Sequence, residues 1–150
     1  AKLTVVTKNA QSLAEFADII IPTTSSSAGA KEAGLGKFIP MMIRDCYPEQ
    51  LQQVFTTGMK EMLIKCQNDF GKNFMDMTIE ERQKLMNTLK DEAIATNKKP
   101  SFFLIARDLT ILGYFSSEIG CTQAREYLAV PGRYDGNVEY TKDQKAWAIN

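Results

Sequence analysis

The sequence predicts an all-α protein, a single-domain helical bundle of about five or six helices that ends in an irregular C-terminal tail. Apolar residues recur at intervals of three and four along several segments, most clearly over residues 48–70. A Thr78-x-x-Glu81 sequence forms a capping box ahead of another such segment. After residue 117, glycine, proline and Asp-Gly break the pattern into turns. We therefore assign residues 1–150 to one domain, with a helical core over 9–129 and an aromatic tail over 130–150.

The N-terminal half contains three predicted helices. The first covers residues 9–20 and stops before Pro22, and a polar, serine-rich loop follows it. The second covers residues 37–45, with Pro40 in its first turn, where a missing N–H is tolerated. The third covers residues 48–70 and carries one apolar stripe, with Cys66 among the buried positions. On its polar face, Glu61 and Lys65 have the i,i+4 spacing of an ion pair.

Two further helices follow the capping box. The first of them places five apolar residues on one side: Leu85, Met86, Leu89, Ala93 and Ile94. The second, over residues 101–115, is apolar nearly all round and is interrupted only by Arg107 and Asp108. A helix without a polar face is usually buried by its neighbours on every side. The alternative is that another protein covers one side of it.

Composition excludes several function classes. The 18 basic and 18 acidic side chains cancel, so no long-range charge attracts nucleic acid. The chain has no histidine, which excludes Ser-His-Asp and Cys-His catalysis, zincin motifs and axial histidine ligation of haem. No apolar run is long enough to span a bilayer, and no signal peptide is visible.

No site for a cofactor, a metal or a reaction emerges from the motifs. Residues 34–37 (Gly-Leu-Gly-Lys) lack the earlier glycine and the final Ser or Thr of a phosphate-binding loop. The carboxylate pairs at residues 80–81 and 91–92 fit solvated helix charges better than acid–base catalysis. The seven methionines mostly occupy core spacings, although Met75 and Met77 fall in a loop and could line a partner groove. We predict no catalytic residue and no metal ligand in this chain.

The three cysteines are widely separated and form no CxxC pair. We expect Cys66 to be a small buried side chain. If the protein is exported, Cys121 is the candidate for an inter-subunit disulfide, although three small buried thiols are the simpler interpretation. The tail presents a similar choice, because Tyr134, Val138, Tyr140 and Trp147 favour burial. They can fold over their own core, which the residues alone favour, or lie across another protein.

Three parts of the sequence resemble a known family. They are residues 17–24 followed by 29–33, residues 109–120, and residues 130–136 closing with Lys145-Ala-Trp147. Together they are similar to the gluconate 2-dehydrogenase subunit 3 family, the small or gamma subunit of membrane-bound bacterial sugar dehydrogenases. The resemblance runs from about residue 13 to residue 147, nearly the whole chain.

The resemblance implies a partner. Members of this family accompany a large flavin-containing catalytic subunit, and often a cytochrome c subunit that holds the complex at the membrane. It implies FAD in the large subunit, none bound by this chain, and export to the periplasm by a twin-arginine signal that the large subunit shares. No twin-arginine motif is present here, which removal of a precursor segment would explain. The resemblance also favours a role in partner contact for five residues: Tyr114, Arg133, Tyr134, Asp135 and Trp147. The simpler alternative is that the glycine and proline turns of the tail only close the domain.

The function predicted on these grounds is a non-catalytic small subunit that stabilises and escorts a large dehydrogenase subunit. It predicts a contiguous apolar patch on the surface of the isolated chain. The alternative is a stand-alone helical interaction protein, possibly a homodimer, with a symmetric interface and no unexplained patch.

Overall fold

The computed structural model describes residues 6, 9–96, 100–130, 132, 136–137 and 139–148. The helices are α1 (Ala10–Ile20), α2 (Leu35–Cys46), α3 (Glu49–Phe70), α4 (Ile79–Ala95) and α5 (Phe102–Phe115), with a 3₁₀ turn (Phe74–Asp76) before α4 and a π-helical turn (Gly120–Ala124) after α5. Within these residues the only extended pairing is an isolated bridge between Glu126 and Trp147. The predicted all-α architecture is confirmed.

Local signals explain where the helices begin. The Thr78 hydroxyl accepts the Glu81 N–H, and the Glu81 carboxylate accepts the Thr78 N–H at 2.8 Å, which completes the predicted capping box of α4. The Ser101 hydroxyl caps α5 by accepting the Leu104 N–H. Helix α2 begins two residues earlier than predicted, after Gly34 in a left-handed conformation. Pro40 therefore lies in the second turn and removes one hydrogen bond from the helix interior.

Helix α5 is the centre of the bundle and contacts each of the other four helices. Its first residue, Phe102, lies 5.3 Å from Phe16 of α1 and 4.9 Å from Phe55 of α3, measured between ring centroids. Aromatic pairs in these tilted geometries add to the free energy that burial supplies. The side of α5 that contacts the other helices is buried, as predicted for a central helix, while part of the opposite side is exposed.

Three detailed expectations need correction. Ile94 was predicted on the buried side of α4, but its side chain is 63% exposed because it lies at the solvent side of the last turn. Lys65 pairs with Glu92 of α4 and not with Glu61, since the neighbouring helix brings a carboxylate within reach. Met77 is buried in the core and is not free to line a groove. Cys66 is fully buried as predicted, and burial raises the pKa of its thiol.

No helix in the described part of the chain combines the length and the apolar character that crossing a bilayer requires.

Candidate partner-binding surface

The far side of α5 leaves large apolar side chains in water. Ile111 is 43% exposed and Leu112 is 53% exposed, although both belong to the C-terminal half of the most apolar of the described helices. One turn later, the ring of Phe115 is covered by the guanidinium of Arg125, whose carbon lies 4.6 Å from the ring centroid. This cation–π contact extends the exposed side of α5 into the segment that follows the π-helical turn.

That segment continues with more exposed apolar residues. Tyr127, Leu128 and Val130 are 48%, 54% and 79% exposed. Trp147, from the end of the chain, is 44% exposed and is joined to the same segment by the bridge to Glu126. We call Ile111, Leu112, Tyr127, Leu128 and Trp147 the docking face, because the Arg125–Phe115 contact and the Glu126 bridge join the three segments that carry them. Exposed apolar residues concentrated in one region are typical of a protein-binding surface.

A second region with exposed apolar side chains lies between α3 and the 3₁₀ turn. Ile64 and Met75 line a shallow groove there, together with the polar side chains of Asn9, Gln67 and Asp76. On α4, the exposed Ile79 and Ile94 are separated by fifteen residues, about 22 Å along the helix axis. Each of these places has two exposed apolar side chains, whereas the docking face has five, so we take the docking face as the stronger candidate.

The predicted contact residue Tyr114 does not reach this surface. Its side chain is 1% exposed, and its hydroxyl donates to the carbonyl of Ala28 at 2.8 Å. Tyr114 therefore holds the loop between α1 and α2 against α5. The ring of Tyr114 is packed inside this chain, and its predicted contact with a partner stays a prediction.

The other predicted residues have different outcomes. Arg133, Tyr134 and Asp135 lie outside the described residues, so their role stays a prediction. Trp147 lies on the docking face, exposed enough for contact. Cys121 is half-buried in the π-helical turn, and its thiol donates to the carbonyl of Phe115 at 3.3 Å. Its role in a disulfide also stays a prediction.

Sequence reasoning missed Arg125, Tyr127 and Leu128. The run of residues 127–130 (Tyr-Leu-Ala-Val) was a usable signal, since it follows a glycine-started turn and has no helical continuation. Ile111 and Leu112 were recognised as part of a helix without a polar face, with partner coverage as one of two alternatives. The structure shows that part of α5 is exposed, and its coverage by a partner stays a prediction.

The carboxylates considered for acid–base chemistry have structural partners. Glu81 caps α4 and also accepts Lys72 at 2.8 Å, and these bonds lower the pKa of its carboxyl group. Glu92 pairs with Lys65, and Asp91 lies 3.9 Å from Lys90. Among the described residues, no three side chains of the His, Cys, Asp or Glu type are grouped as a metal site would require.

Fold and surface together define a small helical protein with an exposed apolar region suited to a protein partner. A comparison with protein families identifies it further: the model of gluconate 2-dehydrogenase subunit 3 matches residues 7–132. The chain therefore belongs to the gluconate 2-dehydrogenase subunit 3 family and is a subunit of an oxidoreductase complex. Searches of curated proteins and of solved structures gave no match.

Proposed function

We propose that this chain is the non-catalytic small subunit of a flavin-dependent sugar or sugar-acid dehydrogenase, and that its docking face binds the large catalytic subunit. The large subunit carries FAD and oxidises the substrate. The observation that carries the proposal is the exposed apolar pair Ile111–Leu112 on α5, whose opposite side is buried in the core. Because each side chain is already about half buried, a partner that covers the rest would contribute roughly half of the full burial value, about 1 kcal/mol each.

The mechanism is stabilisation by binding. A partner that binds only the folded chain shifts the folding equilibrium of this chain away from its unfolded state, and the same holds for the partner if the chain binds only its folded form. Such a subunit needs no reactive group of its own, which fits the missing histidine and the structural roles of Glu81 and Glu92. We place the complex in the periplasm, at the membrane through a cytochrome c subunit, after export of the folded pair by a twin-arginine signal. Cys121, next to Phe115, is the thiol that we propose for a disulfide to the large subunit.

The test is a pull-down with defined variants. The tagged chain is expressed in the organism that makes it, and the purified material is analysed for flavin absorbance and for gluconate oxidation with an artificial electron acceptor. We expect the wild-type chain to retain a flavoprotein with gluconate-dependent turnover, and the variant Ile111→Gln/Leu112→Gln to lose most of it. Glutamine keeps the helix propensity while it removes the apolar surface.

A matched control uses the same substitution elsewhere. Ile79→Gln/Ile94→Gln replaces two exposed isoleucines on α4, so it changes surface composition equally without altering the docking face. We expect this control to bind like the wild type. If the wild-type chain retains no flavoprotein, or if the purified chain alone oxidises gluconate, the proposed function is wrong. If both variants lose binding equally, the docking face is misplaced.

A further inference from the structure

Gln123 joins two surface segments that are far apart in the sequence. Its side-chain carbonyl accepts the backbone N–H of Ala28 at 2.9 Å, and its backbone carbonyl accepts the ammonium of Lys145 at 2.5 Å. The first bond spans 95 positions of the chain and the second spans 22. A single residue of the π-helical turn thus contacts both the loop after α1 and the end of the tail. We call residues 22–29 the serine loop and residues 144–148 the tail strap.

The serine loop depends on this contact because few side chains from outside the loop bind it. Two side chains fix the peptide groups on either side of Ala28. Gln123 accepts the N–H of Ala28, and the hydroxyl of Tyr114 donates to its carbonyl. Within the loop, the hydroxyl of Thr24 accepts the N–H groups of Ser26 and Ser27. Such local hydroxyl bonds shape a turn without attaching it to the core. Its attachment at Ala28 is therefore made by Gln123 and Tyr114.

The tail strap is held by a similarly small set of bonds. Three residues beyond Gln123, the N–H of Glu126 donates to the carbonyl of Ala146, and the N–H of Ala148 donates to the carbonyl of Glu126, both at 2.8 Å. Lys145 is next to this bridge and binds Gln123. Segments held by a few exposed hydrogen bonds open locally at low free energy. A residue that contacts two such segments links their opening.

We propose that Gln123 couples the order of the serine loop to the order of the tail strap. When the strap is attached, Lys145 fixes the backbone of Gln123 and so positions its amide oxygen for Ala28. When the strap opens, that oxygen loses its fixed position and the loop amide is released. The consequence in the complex rests on the proposed function: a large subunit that contacts Trp147 on the strap also rigidifies the serine loop, and by linkage a ligand of the loop strengthens docking.

The coupling is tested on the chain alone by amide hydrogen exchange resolved by residue. In Lys145→Ala, we expect the Ala28 amide to exchange about three- to tenfold faster, the range for one lost hydrogen bond. Lys142→Ala is the matched control, since it removes a lysine from the same exposed segment without touching Gln123. The amide of Met62, inside α3, should be unchanged in both variants, which excludes global destabilisation as the cause. An Ala28 amide that is unchanged in Lys145→Ala overturns the proposal.

A second variant tests the opposite direction. Gln123→Ala removes the acceptor for Ala28 but leaves the backbone carbonyl that binds Lys145. We expect exchange to accelerate at Ala28 and also, by a smaller factor, at the strap amide of Ala148. Acceleration at Ala28 alone means that the two segments are independent and also overturns the proposal. Because neither experiment contains the large subunit, a failed pull-down would remove the proposed function and leave this result standing.

Discussion

The helical bundle and the tail segment use the same kinds of apolar residue in opposite ways. In the bundle, Phe16 and Phe55 are completely buried and lie in contact with Phe102. After the π-helical turn, Val130 and Tyr140 are 79% and 76% exposed, and the segment is attached mainly through backbone hydrogen bonds. The bundle obtains its stability from its own side chains. The tail segment, which carries part of the docking face, keeps apolar side chains exposed and available to a partner.

The largest expected effect breaks the bundle. Phe16→Ala removes a ring that lies 5.3 Å from Phe102 and 6.3 Å from Phe103, measured between centroids. We expect the free energy of unfolding to fall by about 3–5 kcal/mol, because the substitution leaves a cavity at the centre of the core. Chemical denaturation monitored by circular dichroism measures this loss. Tyr140→Ala is the control, and an equal loss in that variant would contradict the distinction between the two regions.

A smaller effect is expected at the ion pairs that join α1 to the rest of the bundle. The carboxylate of Glu15 accepts Lys31 at 2.5 Å and Arg82 at 2.8 Å. Arg82 also donates to the carbonyls of Phe74 and Met75. We expect Glu15→Gln to lower the free energy of unfolding at neutral pH by about 1–2 kcal/mol, mostly from the largely buried Arg82 pair, because solvent screens the half-exposed Lys31. Glu61→Gln, at an exposed position of α3, is the control.

The effect of Glu15→Gln should depend on pH. The hydrogen bond from Lys31 lowers the pKa of the Glu15 carboxyl below its ordinary value of 4.5. Its stabilisation is therefore complete above that value and is lost as the pH falls through the lower folded-state pKa. Denaturation curves of both proteins across acid pH should converge in this window. A difference that stays constant down to full protonation would show that Glu15 acts through packing and not through its charge.

The bundle was predictable from the sequence because its signals are local. Thr78 and Glu81 form their capping box with neighbours three residues away, and the stripe of α3 requires only helical spacing. The misplaced details depended on distant contacts. Lys65 pairs with Glu92 on another helix, and the side chain of Ile94 is exposed near the end of α4. No local pattern contains that information.

The candidate site was less predictable, for the same reason. Tyr114 and Trp147 were both chosen as partner contacts, yet one is buried against Ala28 and the other is exposed beside Glu126. An aromatic side chain looks the same in the sequence whether its own chain or another protein covers it. The bond from Tyr114 to Ala28 spans 86 positions, so only the fold shows which aromatic residue is used internally.

The smallest effect on stability, and the sharpest test of the comparison, belongs to Trp147→Ala. The side chain is 44% exposed, and the bridge that holds this position is made by the backbone groups of Glu126, Ala146 and Ala148, which the substitution keeps. We expect the free energy of unfolding of the isolated chain to change by about 1 kcal/mol or less. In the pull-down, the same variant should retain clearly less flavoprotein than the wild type, because exposed tryptophans are frequent anchors in interfaces. A large loss of stability with unchanged binding would place Trp147 in the core of its own chain and remove it from the docking face.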